Sequence, residues 1–113
     1  MELNVELVGA VAVVEILADA IDVSIADDVK GRLSFLATEH KSVVVDLHRV
    51  RFLDSAGCGA LVAALTRFRT VGGEFRLCCP TPEVKTLLEL VRLNRVLALY
   101  DTRDAAVGSF GKE

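Results

Sequence analysis

The sequence predicts an α/β domain with a mixed, mostly parallel sheet of about five strands, an N-terminal hairpin and three to four helices. Residues 3–8 alternate apolar with polar side chains, as a half-buried strand does, and Gly9-Ala10 separates them from a second apolar strand over residues 11–17. Residues 42–47 are almost entirely apolar, which is typical of a central strand covered on both faces. After the hairpin, strand and helix patterns alternate, and this favours parallel strands joined by right-handed crossovers.

A first helix is predicted over residues 25–40. The apolar side chains of its buried face are spaced four, four and three residues apart; they are Ile25, Val29, Leu33 and Leu36. Ser24 is its predicted N-cap. A second helix is predicted from Gly57 to about Thr70, where Val71-Gly72-Gly73 ends it.

The last third of the chain continues the alternation. A strand over residues 74–79 ends at Pro80, and Thr81 and Pro82 have the residue types of a helix cap and a first helical position. This third helix is expected to close at Asn94. A final strand is predicted over residues 96–100 and a partial helix over 101–110, so that residues 1–113 form a single domain.

Composition excludes several classes of function. The chain has 113 residues, of which 52% are hydrophobic, so a single core is expected and disorder of the whole chain is excluded. Thirteen basic and sixteen acidic residues give a net charge of −3 without a basic block, which argues against nucleic acid as a partner. No apolar run approaches the roughly 20 residues that span a bilayer, and the acidic start is unlike a signal peptide. A cytoplasmic protein without a membrane partner is expected.

The three cysteines, Cys58, Cys78 and Cys79, do not form a recognisable framework. An odd number with two adjacent members is a poor basis for disulfides, and the spacing lacks the two pairs of a zinc site, so no metal is predicted. Small buried apolar side chains are the simplest interpretation. A redox role for Cys58 is a further hypothesis, because the N-terminus of a nearby helix would lower the pKa of its thiol.

Ser55 is the residue on which the function depends. It follows a short apolar stretch and Asp54, and it stands immediately before the glycine-containing start of a helix. Parallel strands of an open sheet commonly carry sites at their carboxyl ends, which gather residues 22–24, 54–57 and 80–81 here. The residues by themselves leave Ser55 open as a helix cap, a nucleophile, part of a weak anion site or a phosphorylation switch.

The four alternatives differ in what else they need. A nucleophile requires a base, and the only histidines are His40 and His48, of which His48 is expected to be a solvated turn residue. Gly57 and Gly59 lack the Lys-Ser/Thr pair of a P-loop, so nucleotide hydrolysis is not expected. A phosphate on Ser55 would add about −1.5 to −2 charges at a helix N-terminus, which accommodates them without unfolding. No cofactor is predicted.

The central segment resembles the STAS domains of bacterial anti-sigma factor antagonists. The resemblance lies in Val43 to Leu47, in Phe52-Leu53-Asp54-Ser55-Ala56-Gly57 and in Gly59-Ala60-Leu61, with support from Ile21-Asp22 and Gly72-Gly73. It extends over roughly residues 3–100. Cys58 departs from the pattern, because this family usually has leucine there.

The resemblance implies a regulator rather than an enzyme. Unmodified, such a domain binds an anti-sigma factor of the serine kinase type and releases a sigma factor; phosphorylation of the serine that matches Ser55 ends the interaction, and a serine phosphatase restores it. ATP and magnesium would come with the kinase. The implied partner surface comprises Asp22, Ser24 and residues 54–58, that is Asp54, Ser55, Ala56, Gly57 and Cys58.

The alternative is a STAS-type ligand-binding or scaffold subunit of a transport or stress-sensing complex, whose serine is never phosphorylated. The sequence leaves both monomer and dimer open.

Overall fold

The computed structural model describes residues 1–111. In chain order its strands are β1 (Glu2–Val8), β2 (Val11–Leu17), β3 (Ala20–Ile21), β4 (Ser42–Asp46), β5 (Phe52–Leu53), β6 (Glu74–Cys78) and β7 (Leu99–Tyr100). The helices are α1 (Ala26–Leu36), α2 (Ser55–Thr70), α3 (Pro82–Leu90) and α4 (Arg103–Gly108), with short 3₁₀ turns at Leu93–Arg95 and Ser109–Gly111.

Five strands form the main sheet in the order β1-β2-β4-β6-β7. β1 is antiparallel to β2, whereas the pairs β2–β4, β4–β6 and β6–β7 are parallel. The predicted fold class is therefore confirmed, including the N-terminal hairpin. Gly9 closes that hairpin with φ +62°, a left-handed conformation that suits glycine.

The two faces of the sheet are covered unequally. Alternate residues of β2, β4 and β6 pack with α1, α2 and α3 into the larger core, in which Leu33, Leu61 and Leu88 are fully buried. The opposite face packs a smaller cluster around Val13 and Val44 against Ala106 of α4. The central strand is consequently buried on both sides, as its continuous apolar sequence predicts.

Two helices begin elsewhere than predicted. α1 starts at Ala26 after Ile25, and Ser24 does not cap it: the Ser24 hydroxyl donates to Asp22 instead. α2 starts at Ser55 rather than Gly57, because the Asp54 side chain caps it. At its other end α1 stops at Leu36, since the following turn tightens through the bond from the Thr38 amide to the Phe35 carbonyl.

The C-terminal region also differs from the prediction in its boundaries. The Thr81 hydroxyl accepts from the Val84 amide at 3.3 Å, which confirms Thr81 as the cap of α3. α3 ends at Leu90, not Asn94, because Arg92 adopts a left-handed φ of +62° that a helix cannot continue through. The final strand is shortened to Leu99–Tyr100, because the chain before it forms the 3₁₀ turn at Leu93–Arg95. Among residues 1–111, no helix has both the length and the apolar character needed to cross a bilayer.

Candidate functional site

A second, two-stranded sheet brings together the two loops that the sequence singles out. β3 pairs with β5 in parallel, with Ala20 opposite Phe52 and Ile21 opposite Leu53. The Arg51 amide donates to the Asp19 carbonyl at 2.7 Å and extends the pairing by one residue. Because both strands end at the same side, the loop after Ile21 and the loop after Leu53 lie next to each other.

Asp54 joins these two loops through its carboxylate. Its Oδ1 accepts from the amide of Gly57 at 2.8 Å, which caps α2. Its Oδ2 accepts from the amide of Val23 at 2.9 Å, 31 residues earlier in the chain. The backbone amide of Asp54 donates to the carbonyl of Ile21 at 3.4 Å. One side chain therefore fixes both the start of α2 and the position of the neighbouring loop.

Gly57 permits the close approach of the two loops. A Cβ at this position would lie 2.0 Å from the carbonyl oxygen of Ile21, a distance that no side chain tolerates. Gly57 is buried, so it contributes to the site by packing rather than by offering a contact at the surface.

The neighbouring loop is an Asx turn built on Asp22. Its Oδ1 accepts from the Ser24 hydroxyl at 2.5 Å and from the Ser24 amide at 3.0 Å. Its backbone carbonyl accepts from the amides of Ile25 and Ala26. The hydrogen bonds from Ser24, first its hydroxyl and then its amide, lower the pKa of Asp22, which lies at the surface. Asp22 therefore carries a full negative charge at neutral pH.

Ser55 is the first residue of α2 and is exposed. None of the side-chain hydrogen bonds found among residues 1–111 involves its hydroxyl. At this position the first-turn amides of Ser55 and Ala56 have no intrahelical acceptor, and the helix dipole favours negative charge. The hydroxyl is consequently accessible from the solvent. The interpretation of Ser55 as the helix cap is wrong, because Asp54 occupies that position.

A shallow apolar groove of about 430 Å³ adjoins Ser55. Its walls come from the end of β5, from the first turn of α2 and from the α3 region: Leu53, Asp54, Ser55, Cys58, Leu87, Val91 and Leu93. Val23 and Phe52, on the two joined segments, are also exposed. The hydroxyl thus stands at the border between a charged pair of loops and apolar surface, a composition typical of protein-binding sites.

Cys58 lines the same groove, but its thiol is not activated. Burial, and then the negative charge of Asp54, raise its pKa above the ordinary cysteine value. The expectation that the helix N-terminus lowers this pKa is therefore wrong in direction. A redox role for Cys58 remains a sequence-based hypothesis without the physical support on which it was built.

His48 lies in a separate cluster at the carboxyl end of β4. Its Nδ1 is 2.9 Å from Asp46 Oδ1 and its Nε2 is 3.2 Å from Glu15 Oε2, so both ring nitrogens are engaged by carboxylates. His48 is half exposed, as expected for a turn residue, but both of its ring nitrogens contact carboxylates, which the sequence did not predict. With both nitrogens occupied, it does not supply a base for Ser55.

Arg103 completes this cluster from α4. Its Nη2 lies 2.7 Å from Asp46 Oδ2 and its Nη1 lies 2.9 Å from Glu6 Oε1. Burial alone would raise the pKa of Asp46, but the hydrogen bonds from Arg103 and His48 outweigh burial and lower it. Since Asp46 is the one buried charged residue of the described chain, Arg103 is what makes its burial tolerable.

Cys78 and Cys79 adjoin the same carboxylate, with the two sulfur atoms 3.5 Å apart. Three ligand atoms, one each from Asp46, Cys78 and Cys79, lie within 4.8 Å of one another. The Asp46 oxygens, however, are already bonded to Arg103 and His48. Burial is the largest cause that raises the pKa of both thiols. A metal ion at this place would therefore have to compete with Arg103 and His48 for the Asp46 carboxylate.

The structure gathers most of the predicted site residues. Asp22, Ser24 and Asp54 to Cys58 lie on the two adjoining loops and the first turn of α2. The Pro80-Thr81 loop lies beside them rather than among them: the Thr81 hydroxyl donates to the Val50 carbonyl at 2.9 Å. Sequence reasoning missed two groove residues, Leu87 in α3 and Val91 directly after it, since their apolar periodicity indicated only a core face.

Comparison with known proteins places this arrangement in a family. The sequence model of the STAS domain matches residues 2–106. A Thermotoga neapolitana protein, named as a candidate anti-sigma factor antagonist and TM1081 homologue, is 32% identical over 73 residues, which is 65% of each chain. The anti-sigma F factor antagonist of Paenibacillus polymyxa is 30% identical over 59 residues, 52% of this chain and 50% of that protein. The chain thus aligns with less than two thirds of the length of these relatives.

Solved structures agree at the level of the fold. An anti-sigma factor antagonist from Mycobacterium paratuberculosis superimposes with a TM-score of 0.82 at 25% identity, covering 96% of this chain and 92% of that one. A sulfate transporter family protein from Wolinella succinogenes gives a TM-score of 0.78 at 21% identity, covering 92% and 88%. The fold alone therefore does not distinguish a regulator from a transporter module.

The family bears on the question of catalysis. STAS domains of the anti-sigma factor antagonist kind are protein-binding regulators, so the prediction that the chain is not an enzyme is confirmed. From the match over residues 2–106, the relatives and the shared fold, we conclude that this chain belongs to the STAS domain family.

Proposed function

We propose that this protein is an anti-sigma factor antagonist whose binding is switched off by phosphorylation of Ser55. Relatives named anti-sigma factor antagonists support the general role. The observation that carries the switch is the exposed hydroxyl of Ser55 at the first position of α2, beside a carboxylate that fixes two loops. In this proposal residues 1–113 act as one cytoplasmic STAS domain in transcription regulation.

The partner surface consists of the two loops and the apolar groove. Asp22 offers a charged carboxylate, which favours a cationic side chain on the partner. Leu53, Leu87 and Val91 offer the groove into which an apolar side chain packs. Ser24 holds Asp22 in place, and its own hydroxyl is thereby engaged, which leaves Ser55 as the free hydroxyl at the centre of the surface.

The partner in this proposal is an anti-sigma factor with serine kinase activity, which brings ATP and magnesium. The Ser55 Oγ forms a bond to the γ-phosphorus of ATP, the bond to the bridging oxygen of ADP breaks, and the hydroxyl proton passes to a base of the kinase. A serine phosphatase reverses the modification by hydrolysis.

Charge is the physical basis of release. The phosphate adds about −1.5 to −2 charges at a helix terminus that tolerates them, so the fold survives. A partner carboxylate at about 6 Å would be repelled by roughly 3 kcal/mol per unit charge, or about a hundredfold in affinity, before salt screening. The local charges of Asp22 and Asp54 offer no compensation.

The test measures binding and phosphorylation separately, with a purified candidate anti-sigma kinase from the organism that encodes this protein. Titration calorimetry is expected to show that Ser55→Ala binds like the unmodified protein, whereas Ser55→Asp and Ser55→Glu bind at least tenfold more weakly. With ATP and magnesium, intact-mass spectrometry is expected to show one phosphoryl group on the wild type. Ser55→Ala should acquire none, and Thr86→Ala, an exposed hydroxyl on α3, serves as the matched control and should still be modified.

Equal affinities for the alanine, aspartate and glutamate variants, together with unchanged phosphorylation of Ser55→Ala, would contradict the switch.

The second candidate is a STAS subunit of a transport complex, which the sulfate transporter family neighbour favours. Co-purification of membrane-transport components with both Ser55→Ala and Ser55→Asp baits, without a kinase, would support that candidate instead.

A further inference from the structure

The outer edge of β1 offers an unused row of backbone groups. β1 is the end strand of the sheet, and within residues 1–111 the only strand that pairs with it is β2. In a two-residue hairpin the closing residues, here Val8 and Val11, exchange their hydrogen bonds. Alternation along the strand then turns the N–H and C=O groups of Leu3, Val5 and Leu7 away from β2, toward the free edge.

The side chains at this edge are apolar as well. Leu3, Val5 and Leu7 lie on the α1 side of the sheet, since their β2 partners are core residues of that face. Val5 is 44% exposed and Leu7 63%. Phe35 of α1, 61% exposed, lines a groove of about 360 Å³ together with Leu3 and Val5. Natural sheets commonly protect such an edge with lysine, proline or inward-pointing charge.

The charges of β1 lie on its other face. Glu2 and Glu6 belong to the opposite row, and Glu6 is bonded to Arg103. The strand therefore combines an uncharged apolar row with a free backbone edge, which is the requirement for adding a further strand.

We propose that a second copy of this chain occupies this edge. The two β1 strands pair antiparallel about a two-fold axis, so that Val5 faces the partner's Val5 and two five-stranded sheets become one. The apolar rows of the two copies are then continuous on the α1 side, and Phe35 of each copy borders them.

The pattern of charges selects this register. A two-fold axis perpendicular to the sheet keeps each row on its own face, and the registers that overlap most of β1 are centred on Asn4, Val5 or Glu6. Centring on Asn4 places Glu2 opposite the partner's Glu6, and centring on Glu6 places Glu6 opposite the partner's Glu6. Facing like charges destabilise a strand pair.

Centring on Val5 avoids both conflicts. Leu3 then faces the partner's Leu7, Glu2 faces the partner's Val8, and Glu6 faces the partner's Asn4, an amide that can donate to a carboxylate. This register also gives the longest overlap. The strand is thus complementary to itself, which is why the occupant is a second copy rather than an unrelated strand.

Substitution on the axis tests the proposal, because one change then acts twice. Val5→Lys places two ammonium groups opposite each other, whereas Val71→Lys changes a valine of similar exposure (48%) at the end of α2. Sedimentation equilibrium is expected to show a concentration-dependent dimer for the wild type and Val71→Lys, and at least a tenfold weaker dimer for Val5→Lys. Far-UV circular dichroism checks that Val5→Lys is folded.

Hydrogen exchange by NMR tests the interface itself. The amides of Leu3, Val5 and Leu7 are expected to exchange more slowly as the protein concentration rises, while Val5→Lys removes this dependence. A wild-type protein that stays monomeric at millimolar concentration would overturn the proposal. So would a dimer in which these three amides exchange at the same rate as in the monomer. Neither result bears on the Ser55 switch.

Discussion

The α-carbon of Gly57 faces the carbonyl oxygen of Ile21 so closely that a Cβ on residue 57 would lie 2.0 Å from that oxygen. The contact joins the first turn of α2 to the end of β3, and the Asp54 carboxylate ties the same two segments through Val23. The surface that presents Ser55 therefore depends on a packing contact that a single methyl group would break.

We expect Gly57→Ala to destabilise the domain by roughly 2 kcal/mol, because either α2 or β3 must move to relieve the clash. Gly59→Ala is the matched control, since a Cβ there meets nothing within 4 Å. In a helix interior that change is expected to stabilise by roughly 0.5–1 kcal/mol. Urea unfolding curves of the two variants measure both effects. Similar effects of both changes would show that the Ile21 contact has no energetic weight.

The Ser55 variants themselves are expected to be stable. Ser55 is exposed and lies at the first position of α2, while Asp54 provides the cap. Ser55→Asp adds a negative charge where the helix dipole is favourable, and Asp54 and Asp22 nearby oppose it, so the net change should stay within about 0.5 kcal/mol. Thermal unfolding monitored by circular dichroism measures it. A large loss of stability would mean that any loss of partner binding reflects unfolding.

Arg103 is expected to set the acid stability of the domain through Asp46. The pKa of Asp46 is lowered in the folded state, so its contribution is present above the unfolded value of 3.8 and is lost as the pH falls through the folded pKa. Arg103→Met leaves a buried carboxylate with His48 as its remaining side-chain partner and is expected to cost roughly 3 kcal/mol at pH 7.

The same change should move the acid transition to higher pH, because the pKa of Asp46 rises without the guanidinium. Unfolding free energies measured between pH 2 and pH 7 (roughly the range over which a carboxylate titrates) check this for the wild type and Arg103→Met. Arg92→Met, an exposed arginine without a pairing contact among residues 1–111, is the control. An unchanged acid transition in Arg103→Met would show that Asp46 does not depend on this ion pair.

Cys58 is expected to react slowly with thiol reagents at neutral pH. Burial and then Asp54 raise the pKa of its thiol, so the thiolate is scarce there and reactivity should increase steadily toward alkaline pH. Asp54→Asn removes the charge and should shift the reactivity profile to lower pH. Iodoacetamide labelling followed by peptide mass spectrometry resolves Cys58 from Cys78 and Cys79. Fast labelling of Cys58 at pH 7 would restore the redox hypothesis.

The spacing of apolar residues located the longer strands and helices, but it did not reveal strands of only two residues. The apolar run Val43 to Leu47 identifies the central strand correctly. The alternation over residues 3–8 also identifies a strand, but β1 is largely exposed rather than half-buried as predicted. β3 and β5 have two residues each and leave no pattern to read, although they position the site. The helix caps show the same limit. Thr81 caps α3 as its sequence signature predicts. At the other two helices the hydrogen bonds of the folded chain decide the cap: the Ser24 hydroxyl bonds to Asp22, and the Asp54 carboxylate bonds to the Gly57 amide.

The amino-acid order alone determined the fold class, the hairpin and the family resemblance, and it made Ser55 the candidate phosphorylation site, because these follow from local alternation and from a contiguous motif. Tertiary structure decided which carboxylate caps α2, that His48 is held by Asp46 and Glu15, and that apolar side chains of α3 border the serine. The contact of His48 with Glu15, the bond of the capping Asp54 to Val23 and the groove beside Ser55 all join residues far apart in the chain. Their distances depend on how the strands pair, and no local pattern encodes that pairing.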